Sequence, residues 1–455
     1  MKTSCNAQAL RPSTSTFAIV GSPTTDEVVG NIEHFLQDAV LQLEPAWQEP
    51  RQQGRGRPRI LPSLCLWAGM LVCVIRGLPS QLAIWRLLSL RQLWFYPRFP
   101  VSDQAVYKRL EQEGTAPLER LFSQISAVLR ERLAPFAITN LAPFASEVVA
   151  VDQMHLDQVA RLLPALRDVP AGSDPLMPGA IGAVFDLRRQ QWRKVEHHAA
   201  PHQNEKVAAR SLVEDLPLGS LILADLGYFA FAWFDALEKM GHWWVSRLRA
   251  KTSYEVIHVL YQREGVLDAL VWLGAYRADR AAHAVRLVQF RVGTAQFSYV
   301  TNVLDPLALP LKEIARLYAR RWDIELAFNL IKTHLGLHLL WSAKTVVVVQ
   351  QLWAVLIISQ VVQALRLEIA GRAGVDPFEV SLPLMLKYLP QYGFKGVNPL
   401  AAFVEDGRAM RFIRPSKRTQ IQAPEVPADQ IVRAPPDLVL TRTARYAERK
   451  NTSRN

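Results

Sequence analysis

Residues 318–332 read Tyr-Ala-Arg-Arg-Trp-Asp-Ile-Glu-Leu-Ala-Phe-Asn-Leu-Ile-Lys. The stretch has no Gly or Pro and is rich in good helix formers, so it is predicted to be helical. At about 100° per residue, one face of this helix carries a hydroxyl, two cations and a carboxylate, from Tyr318, Arg321, Lys332 and Glu325. A carboxylate can hold a divalent metal ion, and Arg, Lys and Tyr can bind a phosphodiester beside it. The stretch therefore predicts a site for phosphate chemistry.

The spacing Tyr-x2-Arg-x3-Glu-x6-Lys resembles the signature of the insertion-sequence-four family of bacterial DDE transposases. The neighbouring residues are similar too: Arg-Trp-Asp-Ile precedes Glu325, and Phe328 and Leu335 follow it. The resemblance implies an α/β fold class, with an RNase H-like catalytic core interrupted by a β-rich insertion. The helical pattern from residue 61 to about residue 141 predicts, in addition, a helical N-terminal domain.

Two apolar runs that end on acids support this resemblance. Glu147-Val-Val-Ala-Val-Asp152 is a β-branched run typical of a buried strand, and Ser220-Leu-Ile-Leu-Ala-Asp225 is a second one. The patterns around them predict strands at 181–187, 192–197 and 243–248, and helices at 204–216 and 229–239. Spacing alone indicates a mixed α/β domain. The resemblance places the first and fourth strands side by side, which would bring Asp152 and Asp225 together.

The resemblance implies that Asp152, Asp225 and Glu325 hold two Mg²⁺ (or Mn²⁺) ions about 4 Å apart for phosphoryl transfer. Asp157 and Asp186 are the alternatives for the first acid. The residues after the two aspartates differ from those of many relatives. These neighbours are not proposed ligands, so the ligand assignment stands, while the activity of this copy stays open.

The charge of the chain points to a polyanionic partner. A formal net charge of +12 and a pI near 9.7 favour double-stranded DNA, with an anionic membrane surface second. By the resemblance, Tyr318, Arg321 and Lys332 contact the phosphates of the element's ends. The resemblance also implies a flipped base stacked on an aromatic residue of the β-rich insertion. Trp272 is the candidate for this stacking, and a core tryptophan is the alternative.

Two segments outside the signature could also bind DNA. Arg55-Gly-Arg57-Pro resembles an AT-hook, a short motif that places Arg side chains in the minor groove, and a basic linker is the alternative. Ser102 is predicted to cap a basic helix whose Lys108 and Arg109 could meet DNA. A surface helix with solvated charges explains that pattern equally well.

The predicted organisation has five parts. Residues 1–50 form a partly disordered N-terminus with one helix, and residues 51–144 form a helical, basic DNA-binding domain. Residues 145–250 and 301–370 form the catalytic domain, and residues 251–300 form the β-strand insertion. The predicted strands of the insertion region are 254–260, 267–273, 284–292 and 296–303. Residues 371–455 are predicted to be helical and then basic and flexible.

Composition and apolar runs indicate in which cellular compartment the protein is found and whether it binds zinc. Three cysteines, without a metal-ligand pattern, and the lack of a visible signal peptide favour a cytoplasmic protein, associated with the nucleoid when bound to DNA. Residues 346–365 are uncharged and long enough to span a bilayer, but their Gln and Ser residues favour a buried core helix. His197, His198 and His202 could bind zinc, although a strand-end cluster is favoured because no HExxH motif or cysteine assists.

The function implied by the resemblance is that of a transposase. Such an enzyme binds the inverted repeats at the ends of an insertion sequence, cleaves there and joins the freed 3′-OH ends to target DNA. A homodimer on paired ends is expected, because concerted cutting of two ends needs two sites. The alternatives are a related metal-dependent DNA nuclease without strand transfer and a catalytically inactive DNA-binding transposase remnant.

Overall fold

The computed structural model describes residues 32–47, 60–160, 164–170, 179–198, 205–275, 279–342, 344–392, 398–418 and 420–446. Arg55, Arg57 and His202 lie outside these ranges. In the described part the fold is mixed α/β, with one large sheet and helices on its faces.

The helices fall into an N-terminal group, three that accompany the sheet, and a later group around a long central helix. They are α1 (Ile32–Leu43), α2 (Ser63–Ile75), α3 (Gln81–Leu90), α4 (Asp103–Glu113), α5 (Ala116–Arg132), α6 (Leu156–Ala160), α7 (Glu205–Val213), α8 (Phe231–Lys239), α9 (Leu311–Arg320), α10 (Trp322–Asn329), α11 (Thr345–Ala373), α12 (Leu382–Tyr388) and α13 (Pro399–Asp406). Of the first five, α1, α2, α4 and α5 contact α11, and α3 contacts α2 and α4.

The sheet has nine strands in the order β3-β2-β1-β4-β5-β9-β8-β7-β6. The strands are β1 (Val148–His155), β2 (Ala180–Asp186), β3 (Gln191–His198), β4 (Leu221–Ala224), β5 (Trp243–Arg247), β6 (Tyr254–Arg263), β7 (Val266–Leu273), β8 (Val285–Val292) and β9 (Ala295–Thr301). The β1–β4 and β4–β5 pairs are parallel and the other pairs are antiparallel. The first and fourth strands are therefore neighbours, as the resemblance implied.

The four strands β6–β9 extend the sheet. β9 pairs with β5 through Ser246 and Val300, so the region predicted as an insertion continues the same hydrogen-bonded surface. Alternation of apolar residues predicts strands but does not show which strand they pair with. The strands of this region could therefore be predicted from their pattern, but their pairing with β5 could not.

The central helix α11 contains the long apolar run. By length and composition it could cross a membrane, but 89% of its apolar window is buried inside the structure. Its buried glutamines bond to other elements: Gln350 donates to the carbonyls of Leu110 and Gly114, at 2.7 and 2.6 Å. Gln360 accepts from the Trp192 N–H at 2.8 Å and donates to its carbonyl at 2.9 Å. These bonds offset the cost of burying amides, as expected for a core helix.

The C-terminal region lies along the edge of the sheet. The N–H of Val432 donates to the carbonyl of Leu260 on the edge strand β6, at 2.8 Å. Arg280 and Arg445 exchange backbone hydrogen bonds of 2.7 and 3.1 Å. As far as residue 446, the described residues of this region therefore make backbone hydrogen bonds to the rest of the fold, and the predicted flexibility stays a prediction. Its Pro-rich, basic composition resembles a linker, but the unpaired edge of the sheet supplies partners for its backbone.

Candidate active site

The signature stretch is helical, as predicted, but it is not one uninterrupted α-helix. α9 ends at Arg320, α10 begins at Trp322, and a π-helical segment, Leu330–His334, follows. Arg321 keeps helical angles, φ −53° and ψ −32°, so the helical path continues across the junction. A π-helical turn contains more residues than an α-helical turn. At Lys332 the rotation per residue is therefore smaller than the roughly 100° used in that calculation.

Arg321 bridges two of the predicted acids. Its Nη2 atom lies 2.8 Å from a carboxylate oxygen of Glu325 and 3.8 Å from one of Asp225. The Arg321 side chain is 5% exposed, whereas Glu325 and Asp225 are 31% and 47% exposed. Asp225 directly follows β4, and Glu325 comes from α10. A buried guanidinium thus draws together carboxylates from two separate elements.

Asp152 lies inside β1, not at its end. It pairs with Ala183, and the strand continues to His155. On the other side, Val151 is in register with Ala224, so the residues that follow them, Asp152 and Asp225, occupy equivalent positions on neighbouring parallel strands.

The three carboxylates interact electrostatically. Burial is the main cause that raises the pKa of Asp152, to about 6. A hydrogen bond from the Gln153 N–H and the charge of Arg321 lower this pKa, while Glu325 and Asp225 raise it. Asp152, Asp225 and Glu325 therefore form one acidic cluster around Arg321.

The three carboxylates satisfy only some of the requirements of a metal site. Across the described ranges, no group of three His, Cys, Asp or Glu side chains is placed to hold a metal ion. However, three carboxylates are the oxygen donors that Mg²⁺ prefers, and the buried Asp152 needs a nearby cation to stay ionised at lower pH. The donor chemistry therefore fits the predicted ions, while the side chains would have to adjust around Arg321. Among the described residues, His197 and His198 likewise belong to no group of three side chains that could hold a metal ion, so the zinc alternative has no support there.

Three buried donors beside the acids have no hydrogen-bond partner among the residues described. They are the Tyr318 hydroxyl and the Nε and Nη1 groups of Arg321. Burial raises the pKa of Tyr318 to about 12, so its hydroxyl stays protonated and able to donate. Buried polar groups are rarely left unpaired. This cluster of donors is what an anionic ligand would satisfy.

Comparison with known proteins agrees with this geometry. Residues 180–361 match the family model described as Transposase DDE domain. The chain is 28% identical, over 179 residues, to the transposase InsG for insertion sequence element IS4 of Escherichia coli strain K12. It is 20% identical, over 296 residues, to the transposase for insertion sequence element IS231F of Bacillus thuringiensis subsp. israelensis. Over part of its length, the chain is therefore similar to insertion-sequence transposases.

These likenesses are partial. The first alignment covers 37% of this chain and 39% of InsG, and the second covers 51% of this chain and 59% of the IS231F transposase. The chain thus spans less than two thirds of either relative. A solved structure, described as a cryo-EM structure of the piggyBac transposase synaptic complex with hairpin DNA, has a TM-score of 0.40 and 8% identity over 89% of this chain and 85% of that chain. That likeness is too weak to bear on function.

The range that matches the family model contains Asp225 and Glu325, while Asp152 precedes it. Asp186, an alternative first acid, is buried at the β2–β3 turn. It accepts from the Arg188 N–H at 2.9 Å and pairs with Arg189 at 3.0 Å. Its carboxylate is therefore committed to the turn. Asp157, the other alternative, lies on α6.

An aromatic cavity of about 570 Å³ lies against Tyr318 and Trp322 of the signature stretch. Its aromatic lining residues come from the sheet and from the signature helices: Phe290, Phe297, Tyr299, Tyr318 and Trp322. Arg247 lines it from β5, and Trp322 is 48% exposed. Sequence reasoning missed the residues from β8 and β9. The Phe-x-Tyr repeat of β9 was the available signal, since it places two rings on one face of a strand.

Trp272 does not fit the predicted stacking role. It is 9% exposed on β7, and the guanidinium of Arg442 lies 4.6 Å from the centre of its ring. Arg442 is held there by hydrogen bonds to the carbonyls of Leu273 and Ala281. The core-tryptophan alternative therefore describes Trp272.

The basic residues of the N-terminal helices differ from each other. Lys108 is exposed on α4, as a DNA contact requires. Arg109 is 8% exposed, donates to the Leu61 carbonyl at 2.7 Å and pairs with Glu113, so a DNA contact does not fit it. Arg109 lies on the same buried face of α4 as Leu110. The structure also shows no contact of Lys332 with the three acids within the described part of the chain.

Proposed function

We propose that this transposase homologue cleaves DNA at the ends of an insertion sequence and joins the freed 3′-OH ends to target DNA. The observation that carries the proposal is the bridge from Arg321 to Asp225 and Glu325, with Asp152 beside it and unpaired donors around it. The strand order supports an RNase H-like core, since it places the first two acids on adjacent strands.

The metal ligands in this proposal are Asp152, Asp225 and Glu325. Two Mg²⁺ or Mn²⁺ ions held there would activate the attacking oxygen and stabilise the leaving oxygen. Asp152 must lose its proton to serve as a ligand, and its pKa of about 6 makes that loss incomplete below neutral pH.

The basic and hydroxyl groups bind the substrate in this proposal. Arg321 holds Asp225 and Glu325 in place and offers Nε and Nη1 to phosphodiester oxygens. Tyr318 donates its hydroxyl to the same phosphate. We place Lys332 further along the DNA, because it lies in the π-helical segment beyond the cluster.

The rest of the DNA is held by surfaces around the active site. The aromatic cavity is suited to an unstacked base from the cleaved end, since its rings adjoin Tyr318. The exposed Lys108, together with Arg55 and Arg57, would contact the backbone elsewhere. A dimer would supply one site to each of two paired ends, in the cytoplasm and on the nucleoid.

Joining of a labelled DNA end tests the proposal. The protein is incubated with Mg²⁺, a supercoiled plasmid and a fragment that carries the element's terminal repeat with flanking DNA, labelled at the 5′ end of the strand whose 3′-OH is transferred. The proposal predicts plasmid that carries the label, and none with Glu325→Gln. Cleavage without joining would instead identify a nuclease. Binding without cleavage would identify a catalytically inactive DNA-binding protein.

A further inference from the structure

One side of the aromatic cavity comes from outside the matched transposase domain. Arg418, Gln420, Ile421 and Gln422 line the cavity opposite the sheet, and we call them the C-terminal wall. The family match ends at residue 361, so it assigns these residues no role.

We propose that the C-terminal wall binds the substrate DNA strand beside the active site, with Arg418 on a phosphate and Gln420 and Gln422 on the polar edge of a base. This inference rests on the proposed function. It adds a DNA-contacting element, and a source of base preference, to the acidic cluster and its signature helix.

The two sides of the cavity supply different chemistry. On the sheet and helix side, aromatic rings pack together, with centroids 5.2 Å apart for Phe290 and Phe297 and 5.1 Å apart for Tyr299 and Tyr318. Such rings stack on any base, so they carry little sequence information. Gln420 and Gln422 each bring an amide donor and an acceptor, the groups that distinguish base edges by hydrogen bonding. The sequence-reading groups of the cavity are therefore on the C-terminal wall.

The charge around the cavity suits a phosphodiester. Arg247 lines one side and Arg418 the other, and no acid is among its described lining residues. Arg418 is exposed and lies 5.8 Å from the ring centre of Phe378, with no carboxylate within ion-pair distance among described residues. Lys312, by contrast, is already paired with Glu425. Arg418 is thus a cation available to an incoming phosphate.

The backbone on both sides of the wall is held by hydrogen bonds. Upstream, the Arg414 N–H donates to the Glu379 carbonyl at 2.9 Å. Downstream, Val432 bonds to Leu260 on the sheet edge. Because both ends are fixed, the segment can present side chains to a ligand in a defined position.

The salt dependence of DNA binding tests the inference. In a Glu325→Gln background, which blocks cleavage, binding of terminal-repeat DNA is measured by fluorescence anisotropy from 50 to 300 mM KCl. Each lost phosphate contact should lower the slope of log K against log salt by about 0.7 to 0.9. We expect this loss with Arg418→Gln and no change with Arg433→Gln. The matched control removes an equally exposed charge from the same C-terminal region, beyond the cavity.

The base contacts have a separate readout. Gln420→Ala with Gln422→Ala should leave the salt slope unchanged but reduce discrimination among terminal bases by about tenfold. As a check that does not depend on these variants folding normally, a benzophenone photocrosslinker at Gln422 should label the DNA, and one at the exposed Val439 should not.

Equal salt slopes for Arg418→Gln and Arg433→Gln, with no crosslink from Gln422, would overturn the inference and leave the proposed function standing. Failure of the parent protein to bind terminal-repeat DNA at any salt concentration would overturn both.

Discussion

Replacing Asp152 by Asn should stabilise the metal-free protein at neutral pH. Burial raises the pKa of Asp152 from its ordinary 3.8 to about 6. At about 1.4 kcal/mol per pH unit, ionising this carboxyl in the folded protein costs about 3 kcal/mol. Asn keeps an oxygen that can accept from the Gln153 N–H, now 2.8 Å from the carboxylate. The variant therefore removes the charge while keeping that contact.

The gain should depend on pH. Because the folded-state pKa lies above the unfolded-state value, the folded protein holds the extra proton between about pH 4 and 6. This group's contribution to stability is therefore present at low pH and is lost as pH rises through that window. The difference in free energy of unfolding between Asp152→Asn and wild type should grow in favour of the variant by about 3 kcal/mol from pH 4 to pH 7.5. Urea unfolding in EDTA at both pH values measures this difference.

Asp225→Asn is the matched control. Its carboxylate is 47% exposed, so removing its charge should change the free energy of unfolding less than removing that of the buried Asp152. The same stability difference for Asp152→Asn at both pH values would refute the buried acid described here. Added Mg²⁺ should raise the stability of wild type and not that of Asp152→Asn, because only wild type retains this ligand.

Gln360→Leu should lower the unfolding free energy by about 2–4 kcal/mol in urea unfolding, since it leaves the backbone of Trp192 unpaired. Gln363→Leu, on the same helix, should be neutral or stabilising in that assay, because its buried amide oxygen has no partner among the described residues. Arg109→Gln should lower the melting temperature without changing the salt slope of DNA binding. A smaller slope would instead support the predicted contact of Arg109 with DNA. Arg321→Lys keeps a charge but loses the Nε and Nη1 donors proposed to bind the phosphodiester, so cleavage should fall by about 100-fold or more in single-turnover assays and DNA binding should weaken as well.

Much of the fold could be predicted because the strands carry strong local signals. The run before Asp152 and the run before Asp225 are β-branched or apolar and short, and both form parallel strands. The polar residues that argued against a membrane span, such as Gln350 and Gln360, bond to neighbouring elements in the core. These features depend on few residues, so the sequence alone could reveal them.

Pairing between distant segments could not be predicted in the same way. Neither β5 nor β9 shows in its pattern that the two strands are neighbours, and nothing near Val432 indicates that it bonds to β6. Such contacts depend on chain geometry over long separations, where local propensity carries no information.

In the candidate site, too, local features could be predicted from the sequence and long-range contacts could not. The Tyr-Arg-Glu spacing predicted which groups meet, and the structure brings Tyr318, Arg321 and Glu325 together. It could not predict the π-helical segment that contains Lys332, or that the guanidinium of Arg442 lies 4.6 Å from the ring centre of Trp272. Both outcomes depend on tertiary packing around the helix and the sheet.

Cleavage of terminal-repeat DNA by wild type and by Glu325→Gln, side by side in Mg²⁺, tests the central claim most directly. Binding of the same DNA is measured in parallel, so that a loss of cleavage cannot be confused with a loss of affinity. The acidic cluster predicts that both proteins bind and that only wild type cuts. Equal cleavage by Glu325→Gln would contradict the assignment of Asp152, Asp225 and Glu325 as the catalytic metal ligands.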